Sequence, residues 1–87
     1  MSDYRFTVGT SVMCNFGQEG WKLGRIIALN YREETWAEDI FAPYQVLLEE
    51  NHSLIYVPED DNRFCREAAL EDINILKRKD ALAAVSY

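Results

Sequence analysis

Gly20-Trp21-Lys22-Leu23-Gly24-Arg25-Ile26-Ile27-Ala28-Leu29-Asn30-Tyr31-Arg32 is the stretch whose reading decides the fold. From Trp21 to Arg32 it contains no proline, and its Ile- and Leu-rich run between two aromatic residues suits a long extended strand. Apolar side chains fall on both of its faces, which predicts a strand that is central in a sheet or strongly curved. Gly24, near its start, predicts a bulge or the close approach of a neighbouring backbone.

Working outward, Thr10 to Phe16 alternates, with Val12, Cys14 and Phe16 on one side and Ser11, Met13 and Asn15 on the other, as a half-buried strand does. Gly17-Gln18-Glu19-Gly20 is the turn between these two strands. Glu33 to Pro43 is an acidic loop that carries Trp36, Ile40 and Phe41, a mixture expected of a loop pinned by aromatics. Tyr44 to Leu48 alternates again, Glu49 to His52 is a turn, and Ser53 to Val57 is a strand that Pro58 stops because it cannot donate to a ladder. Glu59 to Asn62 is a polar turn before a short last strand, Arg63 to Arg66. From Glu67 to Val85 no glycine or proline interrupts, and Leu70, Ile73 and Leu76 recur at helical spacing, so a C-terminal helix is predicted, covering an open end of the β-structure or a partner.

With 87 residues there is room for one domain, here residues 1–66 plus the helical tail 67–87. Fifteen acids against nine Lys and Arg give a net charge of −6, and the distribution is uneven. The segment from Glu33 to Asn62 holds nine acids and no Lys or Arg. Such a segment repels phosphate backbones and attracts cationic peptides. No apolar run reaches the roughly 18 residues of a membrane span, and no signal-peptide pattern opens the chain, so a cytoplasmic or nuclear location is expected. In that compartment Cys14 and Cys65 are expected as reduced core residues.

Five short strands with a long second strand describe a small five-stranded barrel of the Tudor-like or SH3-like type, mainly β, with a C-terminal α-helix. The pattern Val8-Gly9-Thr10-x-Val12-x-Cys14, Gly20-Trp21-x-x-Gly24-x-Ile26-Ile27 and Tyr44-Gln45-Val46-x-Leu48 resembles the Tudor-like strand sequence. Together with Ala42-Pro43-Tyr44-Gln45-Val46 and Leu54-Ile55-Tyr56-Val57-Pro58-x-Asp60, it also resembles a barrel-like module of algal and protist proteins that often stands beside ankyrin repeats, a module whose function is not established. The resemblance covers roughly residues 6–66. It implies the barrel, and through the Tudor-like family it implies recognition of methylated Lys or Arg in an aromatic cage.

Trp21, Tyr31, Tyr44 and Tyr56 lie at or near predicted strand ends and are the cage candidates, while Trp36 and Phe41 read as loop anchors. Glu49, Glu50, Asp60 and Asp61 form the expected acidic face. Arg32 and Arg66 are expected to pair with Asp60 or Asp61, as charges near strand ends commonly do. Catalysis is not expected: the single histidine, His52, sits in a predicted turn without a nucleophile and base arrangement near it in sequence. Two cysteines and one histidine are too few for a four-ligand zinc site, and Glu59-Asp60-Asp61-Asn62 lacks the spacing of a calcium loop, so neither metal nor cofactor is expected. The expected function is therefore a non-catalytic module that binds a protein through a basic, possibly methylated, peptide segment. Assembly through the C-terminal helix, as a homodimer for example, is one alternative. Nucleic-acid binding is the less favoured one, since it needs Arg25, Arg32, Arg63 and Arg66 on one face.

Overall fold

A computed structural model describes residues 4–75. In it β2 (Trp21–Tyr31) is the middle strand, flanked by β1 (Ser11–Asn15) and β3 (Ala42–Leu48), in keeping with its two-sided apolar pattern. β4 (Leu54–Val57) pairs with β3 and β5 (Cys65–Glu67) with β1, so one antiparallel sheet runs in the order β4-β3-β2-β1-β5. The fold is mainly β, with five strands and a short C-terminal helix.

The expected barrel is not closed. β4 and β5 are the two edges of the sheet, and among the described residues no pairing joins them. The physical reason is length: these strands have four and three residues, and Pro58 ends the first. The sheet curls instead. Val57 of β4 and Cys65 of β5 bury into one cluster with Val12, Ile26, Tyr44 and Val46 from the three strands between them. Strand ends also shift: the last strand starts at Cys65, two residues beyond the expected Arg63, and β3 starts at Ala42.

Gly24 is the position where β2 and β3 come closest. It stands opposite Leu48, and a Cβ placed there would strike Val46 Cγ1 and lie 3.0 Å from the Leu47 carbonyl oxygen. Close approach is thus the correct reading of this glycine, and the register shift of β2 comes later, between Ile26 and Ala28. Cys14 and Cys65 face each other across the β1–β5 pair as buried free thiols.

Residues 4–6 pack against the core through Tyr4 and Phe6. Both rings contact the fully buried Tyr44, at centroid distances of 5.6 and 5.9 Å. The Tyr44 hydroxyl accepts from the Phe6 N–H at 3.1 Å and donates to Asp60 Oδ1 at 2.7 Å. Asp60 also accepts from the Arg5 backbone N–H and from Arg5 Nε, at 2.8 and 2.7 Å. The same guanidinium donates to Asn62 Oδ1 and to the Cys65 carbonyl. One carboxylate therefore ties the N-terminal segment, the centre of β3 and the turn after β4 together.

The C-terminal helix, α1, begins at residue 70 and is described through residue 75; its predicted continuation to Val85 lies outside the described residues. Asp72 Oδ2 accepts from the Ala69 N–H at 2.8 Å, which satisfies one orphan donor at the helix start, and from Arg66 Nη1 at 3.2 Å. Leu70, expected on the buried stripe, is 74 % exposed, and residues 70–75 add nothing to the core cluster. Instead Ile75 and Asp72 line a shallow hollow with Met13, Trp21 and Leu23 of β1 and β2. Among the described residues no helix is long and apolar enough to cross a membrane.

These contacts set the pH range of stability. Burial pushes the Asp60 carboxyl up, but hydrogen bonds from Arg5 and Tyr44 outweigh it and hold it below the usual aspartate value. Hydrogen bonds from Arg63 lower Asp61, and those from Ala69 and Arg66 lower Asp72. A carboxylate depressed in the folded state stabilises it above the unfolded pKa of about 3.9, and that contribution fades as pH falls through the folded value. On the alkaline side, burial raises Cys14 from 9.0 and Tyr44 from 10.0, each to about 12. These contributions are complete below the unfolded values and are lost as pH rises toward 12. Thermal melts across pH are expected to show a plateau between about pH 5 and 8, with Tm falling on both sides.

Candidate functional site

The four aromatics expected to form a cage do not come together. Tyr44 is fully buried and both its hydroxyl interactions are internal, so it is a core residue and not a wall of an open site. Trp21 is 40 % exposed but stands apart, with the Arg66 guanidinium 5.3 Å from its ring centroid. Tyr31 and Tyr56 do meet, stacked with centroids 5.8 Å apart and planes inclined by 21°.

Their third partner is Trp36, which the sequence marks only as an anchor of the acidic loop. It contacts Tyr31 at 5.7 Å and Tyr56 at 4.9 Å, edge to face in both cases, with interplanar angles of 90° and 77°. Two features of the chain build this cluster. Asn30 adopts a left-handed φ of 54°, a conformation Asn tolerates, which interrupts the pleat of β2 just before Tyr31. Arg32, expected to pair with Asp60 or Asp61, instead donates to the carbonyls of Trp36 and Ala37 at 2.5 and 3.1 Å, folding the loop back. The rings touch one another and leave no slot between parallel plates, so a cation would lie on their solvent side.

Tyr56 and Pro58 border two hollows. One, of about 520 Å³, is lined by residues 54–58 together with Phe16, Tyr31 and Glu33. The other, of about 320 Å³, is lined by Trp36, Ile40, Phe41 and Ala42. Ile40 and Phe41 are about half exposed, so this end of the molecule presents a contiguous apolar surface beside acids.

The four acids expected on a binding face are each engaged. Glu49 lies 3.8 Å from Arg25, Glu50 3.0 Å from Lys22, Asp60 2.7 Å from Arg5 and Asp61 3.1 Å from Arg63. Arg5, Lys22 and Arg25 fold back onto the acidic middle from far away in sequence, and Arg63 from two positions away. Glu34, Glu38 and Asp39 have no such partner among the described residues, and Glu33 accepts from the Tyr31 hydroxyl at 2.8 Å, which raises the tyrosine's pKa. Within the segment 33–62, the carboxylates without a basic partner are thus those of the loop that carries Trp36.

The four arginines of the nucleic-acid alternative are also tied to separate partners: Arg25 to Glu49, Arg32 to the loop carbonyls, Arg63 to Asp61 and Arg66 to Asp72. The expected pairing of Arg66 with the turn after Pro58 is replaced by Asp72 at the helix start. Among the described residues no group of three or more His, Cys, Asp or Glu is placed to hold a metal ion. Comparison with protein-family models, with curated proteins and with solved structures finds no match.

Trp36 anchors its loop as expected, but it does so on Tyr31 and Tyr56, which makes it the third ring of the cluster. Its signal was available, since it follows Tyr31 by five positions inside the acidic segment. Only the fold brings Tyr56 beside it.

Proposed function

We propose that this protein is a non-catalytic interaction module, SH3-like in strand order, that binds a basic peptide segment at the Tyr31, Trp36 and Tyr56 rings, with methylated Lys or Arg as the preferred side chain. The observation that carries this reading is the coincidence of the three-ring cluster with the loop carboxylates Glu33, Glu34, Glu38 and Asp39. A cation on an aromatic face gains about 0.5–2 kcal/mol, and methylation favours that face by weakening hydration of the ammonium. The nearby carboxylates add long-range attraction, which salt screens.

Titration with Lys/Arg-rich peptides, unmethylated and methylated, followed through amide chemical shifts, tests it. Salt-sensitive shifts are expected in residues 31–41 and 54–58; their absence with every peptide would sink the proposal. Trp36→Ala is expected to weaken binding by about tenfold, in line with the loss of an aromatic anchor, while the far-UV circular dichroism stays that of the parent. Trp21→Ala is expected to leave affinity unchanged, and equal losses in the two variants would point to a general effect on the fold.

A further inference from the structure

The two edges of the open sheet are protected differently. β5 is three residues long, carries Arg66 and Glu67, and its Cys65 carbonyl accepts from Arg5 Nη2 at 3.1 Å. β4, Leu54-Ile55-Tyr56-Val57, has no charge at all. Charged residues on an edge strand normally discourage the addition of further strands, so β4 is the unguarded edge.

Its hydrogen-bonding pattern is set by the turn before it. The Leu48 N–H donates to the Ser53 carbonyl at 2.9 Å, so Leu48 and Ser53 are a bonded pair. By antiparallel alternation Val46–Ile55 and Tyr44–Val57 are bonded pairs too, and Leu54 and Tyr56 turn their N–H and C=O away from β3. Among the described residues these groups have no backbone partner. Beside them lies the larger hollow, which touches all of residues 54–58 and also Cys14, Asn15 and Phe16 at the end of β1. β1 and β4 are not neighbours in the sheet, so the hollow opens between the end of β1 and the free edge of β4.

We infer that the free edge of β4 takes up an extended basic peptide as a sixth strand, an inference that rests on the proposed function and specifies how the peptide is held. Leu54 and Tyr56 supply main-chain bonds to it. Side chains alternate along an added strand, so one set stands beside Tyr56, Tyr31 and Glu33 and the other over Ile55, Val57 and Phe16. The first environment is aromatic and acidic and suits Lys or Arg; the second is apolar. The segment that fits therefore alternates cationic with apolar residues.

The probe is an eight-residue peptide alternating lysine with valine, capped at both ends, together with two forms N-methylated on alternate backbone amides, one for each edge of the peptide. With the unmodified peptide, hydrogen exchange of the Leu54 and Tyr56 amides is expected to slow by about tenfold or more, as for newly bonded amides. One N-methylated form is expected to bind about tenfold more weakly, the effect of lost main-chain bonds, while the other keeps its affinity. If all three peptides bind alike and shift the Trp36 and Tyr56 signals without slowing those amides, strand addition is overturned and the proposed function stands. If neither this peptide nor the Lys/Arg-rich peptides bind, both fail. Protection of Leu54 and Tyr56 without peptide, rising with protein concentration alongside a dimer in sedimentation, would assign the edge to a second copy of the chain and overturn the inference.

Discussion

Gly24→Val is expected to abolish cooperative folding, and Gly24→Ala to lower stability by about 1–3 kcal/mol, the usual range for overpacking. The added Cβ meets Val46 Cγ1 and the Leu47 carbonyl oxygen, the latter at 3.0 Å, and a backbone atom between two paired strands has little room to retreat. Valine adds two further carbons in the same confined place. Stability in a domain of this size is only several kcal/mol, so the larger substitution exceeds it. Urea unfolding measures the alanine variant. Val46→Ala in the Gly24→Ala background is expected to recover part of the loss, because Val46 is the nearest obstacle. Strictly additive losses would instead place the conflict on the Leu47 backbone.

Asp60→Ala is expected to cost about 1–3 kcal/mol, since it strips the acceptor from a buried hydroxyl, while the pair with the exposed Arg5 is screened by solvent and adds little. The Asp60 side chain is 16 % exposed and accepts from Tyr44, from Arg5 Nε and from the Arg5 N–H. Its removal leaves the buried Tyr44 hydroxyl without its acceptor and releases the N-terminal segment. Asp60→Asn keeps an acceptor for Tyr44 but removes the charge facing Arg5, and an intermediate loss is expected. Because this carboxyl is depressed in the folded state, the acid-side fall in Tm is expected to be shallower in Asp60→Ala than in the parent. An unchanged acid limb would assign that fall to Asp61 and Asp72.

Both predictions concern residues that the sequence flagged for different reasons, and their outcomes in the structure differ. Gly24 was legible because a glycine inside an apolar strand has few explanations, and close backbone approach is one of them. Asp60 was read as part of the acidic face and as a partner for Arg32 or Arg66, and neither arginine reaches it. Its partners are Arg5 and Tyr44, which lie 55 and 16 positions away, and no local pattern announces such a pair. The same distance effect undid the acidic face as a whole. Lys22 and Arg25 reach Glu50 and Glu49 from more than twenty positions away, and with the local pairing of Arg63 to Glu59 and Asp61 a segment without bases becomes a surface in which most acids are paired.

The candidate site divides along similar lines. Tyr31 and Tyr56 were named from their positions near strand ends, whereas Tyr44, in an equivalent sequence position, faces the core. Period-two alternation groups residues by face but does not say which face is inside, and a register shift such as that between Ile26 and Ala28 reverses the grouping beyond it.

The sequence by itself determined the strands, their approximate limits, the mainly β class and the central place of the Trp21 strand. Those follow from local spacing of apolar side chains, from glycine and from proline, all of which act within a few residues. Only the tertiary structure decided that the sheet stays open, that Trp36 joins Tyr31 and Tyr56, and that within the acidic segment 33–62 the acids without an ion pair are those of the loop at residues 33–39. Those depend on strand register and on pairs of residues far apart in the chain, where a shift of one position turns every side chain to the other face.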